Sequence, residues 1–227
     1  AYPGAESVSA PDLSLAQLAE NVKSIQTAGV KLIARVHCFD DSMAGKFVEG
    51  AKVSLVGNQG YTWLDDSQAN GGRGWLNAYS ATAQDYLVFI IKEIASAGFD
   101  GILLDSVQLP VGYGLKKADF GVNATTQTAQ QALTDFINKA IAAVPSTPVF
   151  LNTTARAVFD GELTPYGGVS PFSYSLQGLA GYSVTLNAPA MPRKQSPMTL
   201  TEEQKTAYMA AVNGLSVDLP VFVLTLE

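Results

Sequence analysis

Asp105 is the residue most clearly placed to do chemistry. It closes the run Gly101-Ile102-Leu103-Leu104-Asp105, which follows a turn at Ala97-Gly98-Phe99-Asp100. A short apolar run preceded by a helical pattern reads as a strand of a parallel sheet buried on both faces. In such sheets the ligand site lies beyond the carboxyl ends of the strands, so the spacing puts Asp105 at a site. Glycoside cleavage needs two carboxyl groups. One protonates the leaving oxygen and the other is nucleophile or base, about 5 Å away for retention and about 6.5–9.5 Å away for inversion. The acids available as partners are Asp41, Asp160, Glu162 and Glu227. Of these, Asp41 or Glu162, each on a long loop, is expected to protonate the leaving group while Asp105 acts as nucleophile or base. The competing role for Asp105 is structural, because Arg35 lies in an apolar strand and a buried Arg needs a carboxylate.

Other chemistries fit less well. His37 is the only histidine, and no Gly-x-Ser-x-Gly elbow accompanies it, which argues against a Ser-His-Asp site. His37, Cys38, Asp40 and Asp41 cannot all converge on one ion, since adjacent strand residues point to opposite faces. No metal site is expected, and no cofactor. Gly71-Gly72-Arg73-Gly74 lacks the Lys-Ser or Lys-Thr and the preceding strand of a phosphate loop. Tyr61, Trp63, Trp75 and Tyr79 lie in the longest loop, where aromatic rings either stack on sugar faces or form a small core of their own.

The elements that must position these residues alternate regularly. Leu13, Leu15, Leu18, Val22 and Ile25 share a helix face behind a cap at Asp12. Helical patterns also run over Thr82–Ala97, through Ala129–Ile141, briefly over Ser175–Leu179, and behind a capping box at Thr201 and Gln204. Between them stand strand-like runs at Lys31–Val36, Ile102–Leu104, Pro148–Leu151, Tyr182–Leu186 and Pro220–Leu224. This βα alternation predicts a parallel sheet. Connections after helices are short and those after strands are long, so four long loops gather on one rim. The strand ends beneath them are polar: His37 with Asp40 and Asp41, then Asp105, Asn152, Asn187, and Thr225 with Glu227. Such a bowl suits a neutral, hydroxyl-rich ligand.

Composition narrows the class further. The chain has 227 residues, 47% hydrophobic and 15% charged, with a net charge of -6. That length suits one domain over residues 1–227. The charge argues against nucleic acid as a partner. One cysteine excludes an internal disulfide, and no apolar run is long enough to cross a bilayer. The Ser-, Thr- and Asn-rich, Lys-poor surface points to an exported, extracellular or cell-surface protein.

Three segments resemble a known family. Leu32-Ile33-Ala34-Arg35-Val36, followed by Phe39 and Asp41, is similar to the "IARIVVFKD" strand of a glycoside-hydrolase barrel domain common in Firmicutes. Trp75-Leu76-Asn77-Ala78-Tyr79-Ser80 resembles that family's "WLNPYS", and Gly98 to Pro110 resembles its "GFDEIQFDYVRFP". Leu179 to Pro192 carries a fainter likeness to "VISPMVYPSHY". The resemblance implies a TIM-type (β/α) barrel related to the alpha-amylase-like glycosidases, with a polysaccharide substrate. It would make the Asp105 strand the fourth of the barrel, so that the N-terminal strands are missing and other segments of a parent protein complete the fold. The sequence departs from the family at Ser106 and Gln108, at Leu151-Asn152-Thr153, and at Val223-Leu224-Thr225-Leu226, where the family carries Tyr and Arg, Ser-Ala-Asp, and Trp-Leu-Gln-Asp.

The expected function is therefore that of a glycoside hydrolase-like protein acting on an oligo- or polysaccharide through Asp105 and a loop acid. Arg35, Trp75, Asn77, Gln108, Asn152 and Asn187 are the expected substrate-binding residues. The alternative is a catalytically inactive carbohydrate-binding or structural barrel domain of a larger surface protein, motivated by the absent second acid on the neighbouring strand.

Overall fold

The structure, a computed structural model, describes residues 13–189 and 195–226. Its elements run in the order α1 (Leu15–Thr27), β1 (Ile33–His37), α2 (Ala44–Phe47), β2 (Ser54–Leu55), β3 (Asn58–Thr62), α3 (Ala81–Ser96) and β4 (Gly101–Asp105). They continue with β5 (Ala118–Asp119), α4 (Asn123–Thr126), α5 (Ala129–Ala143), β6 (Val149–Thr154), α6 (Ala155–Val158), β7 (Gly181–Thr185), α7 (Glu202–Asn213) and β8 (Val221–Leu224). Every strand expected from the apolar runs is present. They form a five-stranded sheet in the order β1-β4-β6-β7-β8, and each neighbouring pair is parallel.

The expected TIM barrel is not closed among the described residues. The sheet is open, with β1 and β8 as edges. Closure takes about eight strands with matched tilt and stagger, and five cannot supply it. The long loops do contain strands, but β3, β2 and β5 form a separate antiparallel sheet that adds nothing to the parallel one.

Alternation along the strands separates two faces. Val36, Ile102, Leu104, Val149, Leu151 and Tyr182 point outward onto α3 and α5, where Leu87, Ile91, Leu133, Phe136 and Ile137 meet them in the main core. The inner face carries Arg35, Leu103, Phe150, Ser183 and Leu224. Helix starts follow their local chemistry. Ser14, Thr128 and Thr201 each form a capping box with a Gln three residues on. Ser14 is thus the cap of α1; Asp12, expected in that role, lies outside the described residues. The α1 face expected to be inward is largely exposed, with Val22 its one buried residue, because no strand lies beyond β1 for it to cover.

No helix forms at Ser175–Leu179. There the Ser175 carbonyl accepts from Asn138 Nδ2 at 3.1 Å and Gln177 N–H donates to Asn138 Oδ1 at 3.0 Å, so α5 satisfies the backbone in place of a helical ladder. Among the described residues no helix is long and apolar enough to cross a membrane.

The turn before β4 ties the edge to the centre. Asp100 accepts from Lys31 Nζ at 2.7 Å, Gln26 Nε2 at 2.8 Å and Leu32 N–H at 3.0 Å. The Lys31 ammonium, with those N–H donors, lowers the Asp100 carboxyl to about 2. A folded-state value below the unfolded one adds stability that is present above about pH 4 and lost as pH falls toward 2. Asp100→Asn therefore lowers the thermal midpoint at pH 6 relative to the parent protein, and the difference shrinks to nothing near pH 2 in melts followed by circular dichroism. Leu104→Ala, at a fully buried β4 position, costs about 2–5 kcal/mol in urea unfolding.

Candidate active site

Asp105 stands at the C-terminal end of β4, between edge strand β1 and the central strand β6. Alternation puts Arg35 and His37 of β1, Asn152 of β6 and Thr185 of β7 on its face. Arg35 Nε donates to Asp105 Oδ2 at 2.7 Å, and Arg35 Nη2 lies 2.5 Å from the same oxygen. Asn152 Nδ2 donates to Oδ1 at 2.7 Å, and Thr185 Oγ1 donates to Asn152 Oδ1 at 3.1 Å. The polar layer thus runs unbroken from β1 to β7.

The backbone contributes as well. Ser106 has φ 54, and among the described residues it is the one non-glycine with positive φ. Left-handed backbone at a residue with a Cβ costs about 1–3 kcal/mol and persists where surroundings over-determine it. Here it turns the Ser106 N–H back onto Asp105 Oδ1 at 2.8 Å. Asp105 is buried, and Arg35, Asn152 and the Ser106 N–H are all donors aimed at its two oxygens.

His37 Nδ1 lies 3.5 Å from Asp105 Oδ2 and 3.5 Å from Ser106 Oγ. Both approach the same ring nitrogen, so the imidazole cannot relay a proton between serine and aspartate as a hydrolase triad requires. Among the described residues no three His, Cys, Asp or Glu side chains are grouped to hold a metal ion.

This layer is the floor of a cleft of about 270 Å³. Gln108, Val111 and Tyr166 form one wall, and Arg156, Glu162 and Pro189 line another part. Tyr166 donates from its hydroxyl to Gln108 Oε1 at 3.1 Å, and burial pushes that hydroxyl up to about 12. The phenol therefore stays a donor, and Gln108 is left with its amide N–H groups for a ligand. Glu162 accepts from Arg156 Nε at 2.9 Å and also pairs with Arg156 Nη2.

The cleft gathers Arg35, Asp105, Gln108, Asn152 and Glu162 of the residues singled out from sequence. It also takes in Asp40, which is buried and follows β1. Asp41 turns away: its Oδ1 accepts from Met43 and Ala44 N–H, both at 2.9 Å, capping the next turn. Trp75 is fully buried with Trp63 and Val53 beneath the antiparallel sheet, leaving no ring face for a sugar. Asn77 is also buried. It donates to the Phe120 carbonyl and accepts from Tyr79 N–H, both at 3.0 Å. Asn187 staples Leu226, donating to its carbonyl and accepting from its N–H at 2.8 Å each. Asp160 accepts from Tyr208 on α7. Glu227 lies outside the described residues. Thr185 and Arg156 also line the cleft and share a signal, a position on or just after a strand end; Tyr166, in a turn well past β6, has no such signal.

Comparison with known proteins gives the family and the fold. A family model described as "Putative glycosyl hydrolase domain" matches residues 2–159. Among solved structures, a hypothetical protein from Ruminiclostridium thermocellum ATCC 27405 is 24% identical with a TM-score of 0.50; the match covers 59% of this chain and 64% of that one. This chain therefore spans just under two thirds of that protein's length. The glycoside hydrolase domain of PelA from Pseudomonas aeruginosa is 13% identical with a TM-score of 0.50, over 92% of this chain and 73% of that one. A variant of the same domain gives 12% and 0.53 over the same shares. These structures share the α/β fold with a central parallel sheet. No curated protein matches the chain.

Asn152 offers a test of the polar layer that needs no substrate. Asn152→Ala leaves Asp105 Oδ1 and the Thr185 hydroxyl short of a partner and costs about 1–3 kcal/mol in urea unfolding. Asn152→Asp places a second carboxylate against the first, so it loses more at pH 7, and that excess fades below pH 4 as one of the pair takes a proton.

Proposed function

Because the chain belongs to the glycosyl hydrolase domain family whose model it matches, we propose that it acts as a glycoside hydrolase on an oligo- or polysaccharide bound in the cleft above Asp105. The observation that carries this reading is the placement of Asp105: a buried carboxylate at a strand's C-terminal end, fixed by Arg35, Asn152 and the Ser106 N–H, opening on a cleft of about 270 Å³. Donors on both oxygens hold the carboxyl group in place, as a positioned nucleophile or general base requires. The same Arg35 contact holds the carboxylate in one orientation. Gln108 and Asn152 supply amide groups suited to sugar hydroxyls.

The proton donor is then one of the two other carboxyl groups lining the cleft, Asp40 or Glu162. Glu162 is held by two nitrogens of Arg156, a contact that fixes its orientation. Asp40 is buried and lines the same cleft as Asp105. We assign Asp40 the role of general acid. Asp41, committed to its turn, takes no part.

The open sheet is read as consecutive strands of a TIM-type (β/α) barrel. Sequential strand order, helices on the outer face and the exposure of Ile33 and Phe222 at the two edges support this. On that reading further polypeptide completes the barrel. An extracellular or cell-surface location fits this reading and the Ser-, Thr- and Asn-rich, Lys-poor sequence. One observation favours the alternative of a binding domain without turnover: Asp105 and Glu162 are both engaged by arginines.

Reducing-sugar release across a polysaccharide panel decides between the two. Hydrolysis by the parent protein, reduced at least about 100-fold in Asp105→Asn, is the expected result. Asp40→Asn should lose a similar factor on polysaccharide while keeping most activity on an aryl glycoside whose leaving group needs no proton. Binding without release by the parent protein would establish the non-catalytic alternative.

A further inference from the structure

We propose that Tyr113 is a saccharide-stacking platform just outside the cleft, forming a subsite for a substrate longer than the cleft itself; this rests on the carbohydrate reading above. The ring of Tyr113 is 67% exposed. An exposed aromatic side chain is ordinary in itself. What sets this one apart is the backbone that carries it.

Tyr113 N–H donates to the Asp65 carbonyl at 2.8 Å, and the next carbonyl, that of Gly114, accepts from Trp63 Nε1 at 3.2 Å. Gly112 has φ 152, and a Cβ there would lie 2.4 Å from the Asp65 carbonyl oxygen, so the chain is pressed against the antiparallel lobe with no room for a side chain. Gly114 has φ 68, the left-handed region that favours glycine. The segment Gly112-Tyr113-Gly114 is therefore clamped on both sides of the tyrosine, while the ring itself stands in solvent. Asp65, the residue it rests on, is buried and also accepts from Arg73 N–H at 2.8 Å.

Position completes the argument. Val111, two residues earlier, lines the cleft, and Tyr113 does not. Tyr113 thus follows a cleft-lining residue while standing outside the cleft's own lining. A rigid tyrosine offers a flat apolar face at little entropic cost, and sugar rings present the complementary face of C–H groups. The antiparallel lobe, which contributes nothing to the Asp105 layer, gains a role here as the support that fixes this platform.

The test compares Tyr113→Ala and Tyr113→Trp with the parent protein. Affinity electrophoresis at low temperature through xylan, mixed-linkage glucan and galactomannan reads binding, and hydrolysis is measured on a long oligosaccharide and on an aryl monoglycoside. Expected is a five- to tenfold loss of gel retardation and of kcat/KM on the long substrate for Tyr113→Ala. The aryl glycoside rate should be unchanged, and Tyr113→Trp should restore the loss. Equal binding and equal kcat/KM on long substrate for Tyr113→Ala would overturn the platform and leave the proposed hydrolase standing. A parent protein that neither binds nor cleaves any saccharide in the set would overturn both.

Discussion

A charge placed at the end of a buried strand must be met from every side, and that requirement organises the centre of this molecule. Asp105 cannot reach bulk water along β4, so its desolvation has to be offset by donors built into neighbouring strands. Arg35 comes from β1, Asn152 from β6 and an N–H from the very next residue. These donors restrict what surrounds them. A one-residue slip of β1 or β6 would send Arg35 or Asn152 to the outer face and leave the carboxylate unmet. The positive φ of Ser106 follows from the same demand, since a β conformation there would point its N–H elsewhere. The register of three strands and one strained residue are thus tied to a single carboxyl group.

Around that point the molecule divides its labour between the two ends of the strands. The apolar outward residues fix the sheet to α3 and α5, a packing problem any hydrophobic set of the right volume could solve. The loops after the strands are less interchangeable. The first of them folds into a lobe with its own small core of Val53, Trp63 and Trp75, braced by Asp65, whose Oδ2 lies 3.4 Å from Trp75 Nε1. Tryptophans that look available for stacking in the sequence are spent on making that loop rigid. Two tyrosines stay exposed there, Tyr61 on β3 and Tyr113 on the segment that rests on Asp65, and sequence patterning does not distinguish Tyr113 from any other loop tyrosine.

The parts of the fold legible in the sequence are those fixed by local periodicity. The five parallel strands, α3, α5 and the capping box at Thr201 follow from apolar spacing and turn chemistry, and the likeness of residues 31–41 and 75–110 to a glycoside-hydrolase barrel domain agrees with the matched family model. The pairing of Arg35 with Asp105 was also readable, because an arginine in an apolar strand needs an anion. Side-chain direction within loops was not. Asp41 and Asp40 are neighbours of the same type; one caps a turn and the other enters the cleft, a difference set by backbone torsions after β1. Asn77 and Asn187 failed to reach the cleft for a related reason: an amide near a loop satisfies adjacent backbone more cheaply than it waits for a ligand. The exposed face of α1 had no signal either, since periodicity says which residues share a face and not whether another element covers it.

Arg35 resolves a difficulty that the open sheet creates. A parallel sheet is normally covered on both faces, yet the inner face here carries Ile33 and Phe222 at 48% and 47% exposure on its two edge strands. Those edges would admit water toward Leu103 and Phe150, directly beneath the Asp105 layer. Arg35 sits on edge strand β1 between Ile33 and the mouth, and its methylene stem lines the inner apolar face while its guanidinium engages Asp105. A lysine could supply a charge there but not the planar donor fork that approaches Oδ2 with two nitrogens. The side chain at the sheet's most exposed edge thus shields the apolar floor and neutralises the buried acid together. An edge strand can flank the candidate active site because one residue does both.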